Sequence, residues 1–171
     1  CTMAALMQRR MLPHKRARAA VIGAGNVGKR VIDYMKLLDL DVVICDPLRA
    51  RQEPGFKSVD LKDIANVDLI SLHVPLTKDT DCPTHHMINS EFMRNQKTGT
   101  VILNASRGAV VDTAALYKNG SHLIWCLDVF ENEPTIDKAI LERATLTTPH
   151  IAGYSVQSKV RGMEILYQAA C

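Results

Sequence analysis

No stretch of this 171-residue chain is apolar for long enough to span a membrane, and no hydrophobic segment behind a basic start marks a secretory leader. Internal repeats and low-complexity tracts are absent as well, which sets aside solenoids and fibrous arrays. Cysteine is sparse. The five thiols, Cys1, Cys45, Cys82, Cys126 and Cys171, are odd in number and widely spaced, with no CxxC pair. That pattern suits neither a disulfide framework nor a zinc site, and reduced thiols in a cytoplasmic protein are the simplest expectation. Cys45 and Cys126 lie inside apolar runs and read as packing residues. Charge of one sign is also scarce: 21 Lys and Arg against 18 Asp and Glu leave a formal charge of +3, which demands no nucleic-acid partner. The one basic cluster, Arg9, Arg10, His14, Lys15, Arg16 and Arg18, runs straight into an apolar segment. With no acid-free, serine-rich leader before it, a solvated linker is the expectation rather than a transit peptide or nucleic-acid arm.

What is present is alternation. Strand-like apolar runs occupy Ala19–Gly23, Asp41–Cys45, Leu69–Val74, Thr100–Asn104, Leu123–Val129 and Leu146–Thr148. Helical or turn patterns lie between them, at Asn26–Leu38, Leu61–Asn66, Ser90–Arg94, Thr113–Lys118 and Asp137–Arg143, with a last helix over Gln157–Ala170. Strands that are apolar throughout and flanked by helices predict a parallel sheet covered on both faces, a doubly wound Rossmann-type α/β domain. The chain begins with Cys1 and ends within a helical pattern, so a domain cut from something larger is expected. Residues 1–18 read as a linker and the end of an interdomain helix, 19–155 as the domain itself, and 156–171 as the start of another interdomain helix.

The first strand runs into Gly23-Ala24-Gly25-Asn26-Val27-Gly28, and the second ends at Asp46. Together these form the dinucleotide-binding fingerprint. Gly23 makes the tight turn, Gly25 lets the backbone approach a pyrophosphate, and Gly28 lets the helix pack close on the sheet. The pyrophosphate is expected at the helix N-terminus, where unpaired N–H groups favour an anion. Asp46 is positioned to accept hydrogen bonds from the adenosine ribose, and its charge favours NAD over NADP. Arg49 and Arg51 follow closely and are either solvated loop residues or arms for a 2′-phosphate.

In such folds ligands sit outside the carboxyl ends of the strands. Three side chains fall there: Arg107 in NASRGAVVD, Glu133 in DVFENEP and His150 in PHIAGYS. An arginine can hold a substrate carboxylate with its planar fork. A histidine can exchange a proton with a substrate hydroxyl near neutrality, and a carboxylate on that histidine fixes its tautomer. The bland readings are a surface ion-pair partner, a helix N-terminal acid and a satisfied loop histidine; together, on the ligand side of the sheet, they lose weight. His85 and His86 sit side by side without an evident carboxylate partner, so no metal is expected. His14 and His122 read as surface, and His73 as packing beside the cofactor.

GAGNVG, NASRGAVVD, DVFENEP and PHIAGYS together make this sequence resemble the NAD-dependent D-2-hydroxyacid dehydrogenases, from about Ala19 to the C-terminus. A narrower likeness inside that family, to a member acting on a phosphorylated 2-hydroxy acid, rests on CDPLRA, on HVPLT followed by CPTHH, and on HIAGYSVQSKVRG. The resemblance implies that Arg107 binds and polarises substrate, that His150 is the acid/base, and that Glu133 orients it. It implies that Gly23, Gly25, Asn26, Val27, Gly28 and Asp46 hold the adenosine half of NAD. Val74, Ala105, Ser106, Arg107, Asp128 and Gly153 would line the nicotinamide side, and Tyr154 would face substrate. It also implies a homodimer when intact, and a substrate domain that is largely absent from this chain.

Overall fold

The computed structural model describes residues 16–153 and 156–170. Six parallel strands form one sheet: β1 (Arg18–Ile22), β2 (Asp41–Cys45), β3 (Leu69–Leu72), β4 (Val101–Asn104), β5 (Ile124–Leu127) and β6 (Leu146–Thr147), in the spatial order β2-β1-β3-β4-β5-β6. All six expected strands are present: β2 as expected, β1 starting and ending one residue earlier, β3, β4 and β6 shorter by one or two residues, and β5 by three. The register aligns their carboxyl ends, with Ile22 beside Cys45 and Leu72, Leu72 beside Asn104, and Asn104 beside Leu127. The glycine loop, Asp46 and the loops bearing Arg107, Glu133 and His150 therefore leave the sheet along one edge.

The apolar-throughout pattern of β1 has the expected consequence. Ala20 and Ile22 join one buried cluster with Ile70, Leu72, Ile102 and Trp125; Ala19 and Val21 join another with Leu69, Val101 and Cys126. Alternate residues of a strand point to opposite faces, so both faces of the sheet are core.

The helices are α1 (Asn26–Leu37), α2 (Pro47–Gln52), α3 (Ser90–Arg94), α4 (Thr113–Asn119), α5 (Lys138–Arg143) and α6 (Val156–Ala170). The helical or turn segment expected over 61–66 is a single tight turn, Leu61–Asp63, and Asn66 takes a positive φ of 53° before β3. Helix α2 carries Arg49 and Arg51, so neither is a loop residue, and its signals are local: Asp46 caps it by accepting from the Arg49 amide at 3.0 Å, and Pro47 opens it. Asp112 and Asn89 cap α4 and α3 in the same way. A further short turn, Gly108–Val110, also went unforeseen. No helix among the described residues is long and apolar enough to cross a membrane. Most of residues 1–18, with the basic cluster up to Lys15, lie outside the described residues.

Candidate active site

Strand β1 feeds β2 on one side, and the chain then returns to place β3 on the other. The order reverses there, and the crevice at such a reversal is where dinucleotides bind. Gly23 sits in it with φ of 89°, and a Cβ at Gly23 would lie 2.6 Å from the His73 carbonyl oxygen. A Cβ at Gly28 would lie 1.9 Å from the Gly23 carbonyl oxygen. Only glycine lets helix and strand approach so closely. Gly25 differs: nothing lies within 4 Å of a Cβ built there. It is exposed, it caps α1 without any side-chain hydrogen bond, and the first turn carries no acid. Open space, uncapped amides and a helix dipole make a cradle for an anion, which fits a pyrophosphate.

A cavity of about 350 Å³ opens beside this cradle, lined by Gly23, Gly25, Asp46, Leu48, Val74 and Met87 among others. Asp46 stands at its edge with one oxygen accepting from the Ala24 amide at 2.8 Å and the other from the Arg49 amide at 3.0 Å. An ionised carboxylate has about four acceptor positions, so about two remain for ribose hydroxyls. Val74, expected on the nicotinamide side, lines this cavity together with the fingerprint residues. Asn26 and Val27 are exposed at the start of α1.

A second cavity, of about 270 Å³, lies at the ends of β4 and β5 and is lined by Asn104, Ala105, Asp128, Thr148, Ile151 and Ala152 among others. Asn104 is buried and organises the loop after β4: its carbonyl oxygen accepts from the Ser106 amide and hydroxyl, and its amide donates to the Arg107 carbonyl at 3.0 Å. That fixes the backbone at Arg107, whose side chain is exposed and donates to the Ser106 carbonyl at 2.7 Å. Arg107 forms no ion pair among the described residues, so its guanidinium keeps donors for an incoming carboxylate.

Asp128 organises the loop after β6. It accepts from the Thr148 hydroxyl, from the Ile151 amide at 2.9 Å and from the Ala152 amide at 2.9 Å. Burial pushes its carboxyl up, but the Thr148 hydroxyl and the Ala152 and Ile151 amides outweigh that and hold it below its ordinary value. His150 is suspended between these contacts with a positive φ of 53°, its amide donating to the Asp128 carbonyl at 2.8 Å.

Glu133 closes the constellation. One oxygen accepts from the Phe130 amide at 2.7 Å; the other lies 2.6 Å from Nδ1 of His150. A carboxylate only accepts, so Nδ1 carries the hydrogen and Nε2 is left to take a proton. The Arg107 loop and the Glu133 loop touch through Gly108, where a Cβ would lie 1.9 Å from the Phe130 carbonyl oxygen. The structure thus joins Glu133 and His150 directly and Arg107 to them through backbone packing. Gly153 is exposed at the end of this loop, and Tyr154 lies outside the described residues.

Two readings of histidine are corrected. His86 does have a carboxylate partner, Glu131, at 2.7 Å, and its ring stacks on His85 at 3.9 Å between centroids. Burial pushes the Glu131 carboxyl up, and hydrogen bonds from His86 and Thr113 more than reverse this. Side chains of His85, His86 and Glu131 could reach one ion. His122 is no free surface residue either: its Nε2 lies 3.2 Å from the carbonyls of Met93 and Gln96. Asn104, Thr148 and Glu131 were missed as organising residues. Asn104 alone carried a signal, an amide side chain closing an apolar strand.

A doubly wound parallel sheet with a glycine-rich turn at the point where its strand order reverses is the architecture of a dinucleotide-binding domain. The family described as D-isomer specific 2-hydroxyacid dehydrogenase, NAD binding domain, matches residues 5–152, and the chain belongs to it. Among its curated relatives is an erythronate-4-phosphate dehydrogenase of Coxiella burnetii, 48% identical over 167 residues that cover 98% of this chain and 45% of the relative. The erythronate-4-phosphate dehydrogenase of Pseudomonas aeruginosa is 43% identical over 155 residues, covering 88% of this chain and 41% of the relative. The chain spans less than half the length of these relatives. A D-lactate dehydrogenase from Aquifex aeolicus, solved with NAD and lactic acid, superposes with a TM-score of 0.73 at 31% identity, covering 99% of this chain and 59% of that one. D-2-Hydroxyisocaproate dehydrogenase gives 0.74 at 26% identity over 88% of this chain and 50% of that one.

Proposed function

We propose that this chain is the cofactor-binding and acid/base-bearing part of an enzyme that oxidises 4-phospho-D-erythronate at its 2-hydroxyl, giving 2-oxo-3-hydroxy-4-phosphobutanoate. On this reading the protein serves pyridoxal phosphate synthesis in the cytoplasm. The observation that carries the reading is the 2.6 Å contact between Glu133 and Nδ1 of His150, with Arg107 forming no ion pair among the described residues. NAD, held by Gly25, the first turn of α1 and Asp46, supplies the hydride acceptor. Arg107 binds the substrate carboxylate and polarises the reacting carbon. Nε2 of His150 takes the hydroxyl proton, and Glu133 stabilises the imidazolium that results. The relatives named for erythronate 4-phosphate favour that acid over other members of the family.

On this reading residues 19–155 are the cofactor domain, and 156–171 are the start of a segment that leads to the substrate domain. The apolar side chains Met163, Ile165, Leu166 and Tyr167, all exposed on α6, support a covering partner of that kind. Residues that grip the substrate phosphate belong to the missing domain, and remote binding energy of that sort supports rate as well as affinity. The isolated chain therefore binds NADH but turns over poorly. Calorimetric titration of the chain with NADH tests the first half. Initial rates of the intact gene product on 4-phosphoerythronate and 3-phosphoglycerate test the second, and faster oxidation of 3-phosphoglycerate would overturn the substrate assignment.

A further inference from the structure

Arg49 is placed where a dinucleotide with an extra phosphate would need a cation, three residues beyond Asp46 and against the glycine loop. Each of its three guanidinium nitrogens is nevertheless engaged. Nε and Nη2 grip the two oxygens of Glu53 at 2.6 and 3.1 Å, a bidentate fork. Nη1 donates to the Ala24 carbonyl at 3.1 Å. The guanidinium carbon lies 4.2 Å from the centre of the Phe56 ring, which fixes its plane. Ala24 is fully buried and is held at both ends, its amide by Asp46 and its carbonyl by Arg49. Arg51 differs, pairing with Asp81 at 3.5 Å while both side chains are largely exposed.

We propose that Glu53 is a selectivity residue for the cofactor. It latches Arg49 onto the glycine loop, where the arginine supports Ala24 and is withheld from a ribose 2′-phosphate. Discrimination against NADP then has two parts. Asp46 repels the phosphate, and Glu53 holds back a nearby guanidinium able to bind it bidentately. This rests on the NAD assignment, and it predicts that removing Asp46 alone is a poor route to NADP use.

The test is a set of NADH and NADPH titrations, followed by nucleotide fluorescence, on the chain and on D46A, E53A, D46A/E53A and D46A/E53A/R49A. Circular dichroism confirms that each variant is folded. D46A is expected to shift the NADPH-to-NADH affinity ratio by about 5-fold, and D46A/E53A by at least about a further tenfold, the scale of one charge-assisted fork. NADH affinity falls about 3-fold in E53A, as Arg49 leaves Ala24. The further gain disappears in D46A/E53A/R49A. A gain that survives without Arg49 would overturn the latch, since simple loss of the Glu53 charge or Arg51 would then account for it. Equal ratios in D46A and D46A/E53A would overturn it too. A wild-type chain that is folded and binds neither dinucleotide would overturn the cofactor reading and the latch together, whereas NADH binding with no selectivity change defeats the latch alone.

Discussion

Oε2 of Glu133 lies 2.6 Å from Nδ1 of His150, while Oε1 of the same carboxylate is held at 2.7 Å by the Phe130 amide. One side chain is therefore anchored to its own loop and orients the imidazole of another. Glu133→Gln reverses the polarity of that contact. The Gln carbonyl keeps the Phe130 amide, its NH₂ donates to Nδ1, and the proton moves to Nε2, which can no longer act as a base. The expected result in the intact enzyme is a fall in kcat of about 10²- to 10⁴-fold, matched by His150→Asn, with NADH affinity altered less than about 2-fold. Steady-state rates and NADH titration check it; a kcat within a few-fold of the parent would remove Glu133 from the mechanism.

The glycines of the fingerprint separate by function. Gly28→Ala places a methyl 1.9 Å from the Gly23 carbonyl oxygen and should lower stability by about 2–3 kcal/mol in chemical denaturation. Gly25→Ala meets no protein atom within 4 Å, so stability should stay within about 0.5 kcal/mol. Its methyl instead enters the space assigned to the pyrophosphate, and NADH affinity should fall at least about tenfold. Unchanged NADH affinity in a folded Gly25→Ala chain would count against the phosphate cradle.

Asp128 links three donors to the backbone that carries His150. Asp128→Asn puts an NH₂ group against an amide that needs an acceptor, which should cost about 1–3 kcal/mol. The same network gives a pH signature. The folded carboxyl titrates below its unfolded value, so its stabilisation is complete above the ordinary carboxylate value and is lost as pH falls through the depressed one. Denaturation midpoints measured on the acid side should fall less steeply in Asp128→Asn than in the parent.

His73 works in a higher window. Burial pushes its imidazole down to about 4, against an ordinary 6.5, and the Ser71 hydroxyl lies 2.8 Å from its Nε2. Below the ordinary value the unfolded chain binds a proton that the folded chain refuses. Stability therefore falls as pH drops from 6.5 towards 4, by roughly 3 kcal/mol in the limit. Between pH 5 and 6.5 few carboxylates titrate, and the slope there should flatten in His73→Gln, leaving the share of His85, whose imidazole is also pushed down by burial. An undiminished slope in the variant would assign it elsewhere.

Much of this protein was decided by local sequence. Strands apolar at every position can only be buried on both faces, so β1, β3 and β4 and the doubly wound class follow from the residues themselves. Gly23 and Gly28 follow from steric needs that no other residue type meets, and Asp46 from the amides that need an acceptor. Pro47 after Asp46 signalled α2 as well, though the signal went unused. What the tertiary structure alone decided is pairing across distance. Which carboxylate meets which histidine, Glu133 with His150 and Glu131 with His86, depends on how loops from different strands converge. Both acids stand two residues apart in one segment, and nothing local tells them apart. The confinement of Arg49 by Glu53, Phe56 and Ala24 is of the same kind. Helix spacing suggests the first contact, but only the return of the glycine loop past α2 closes the cage. Periodicity reports what a residue's own backbone must do; partners brought together by the fold are set by the sheet order.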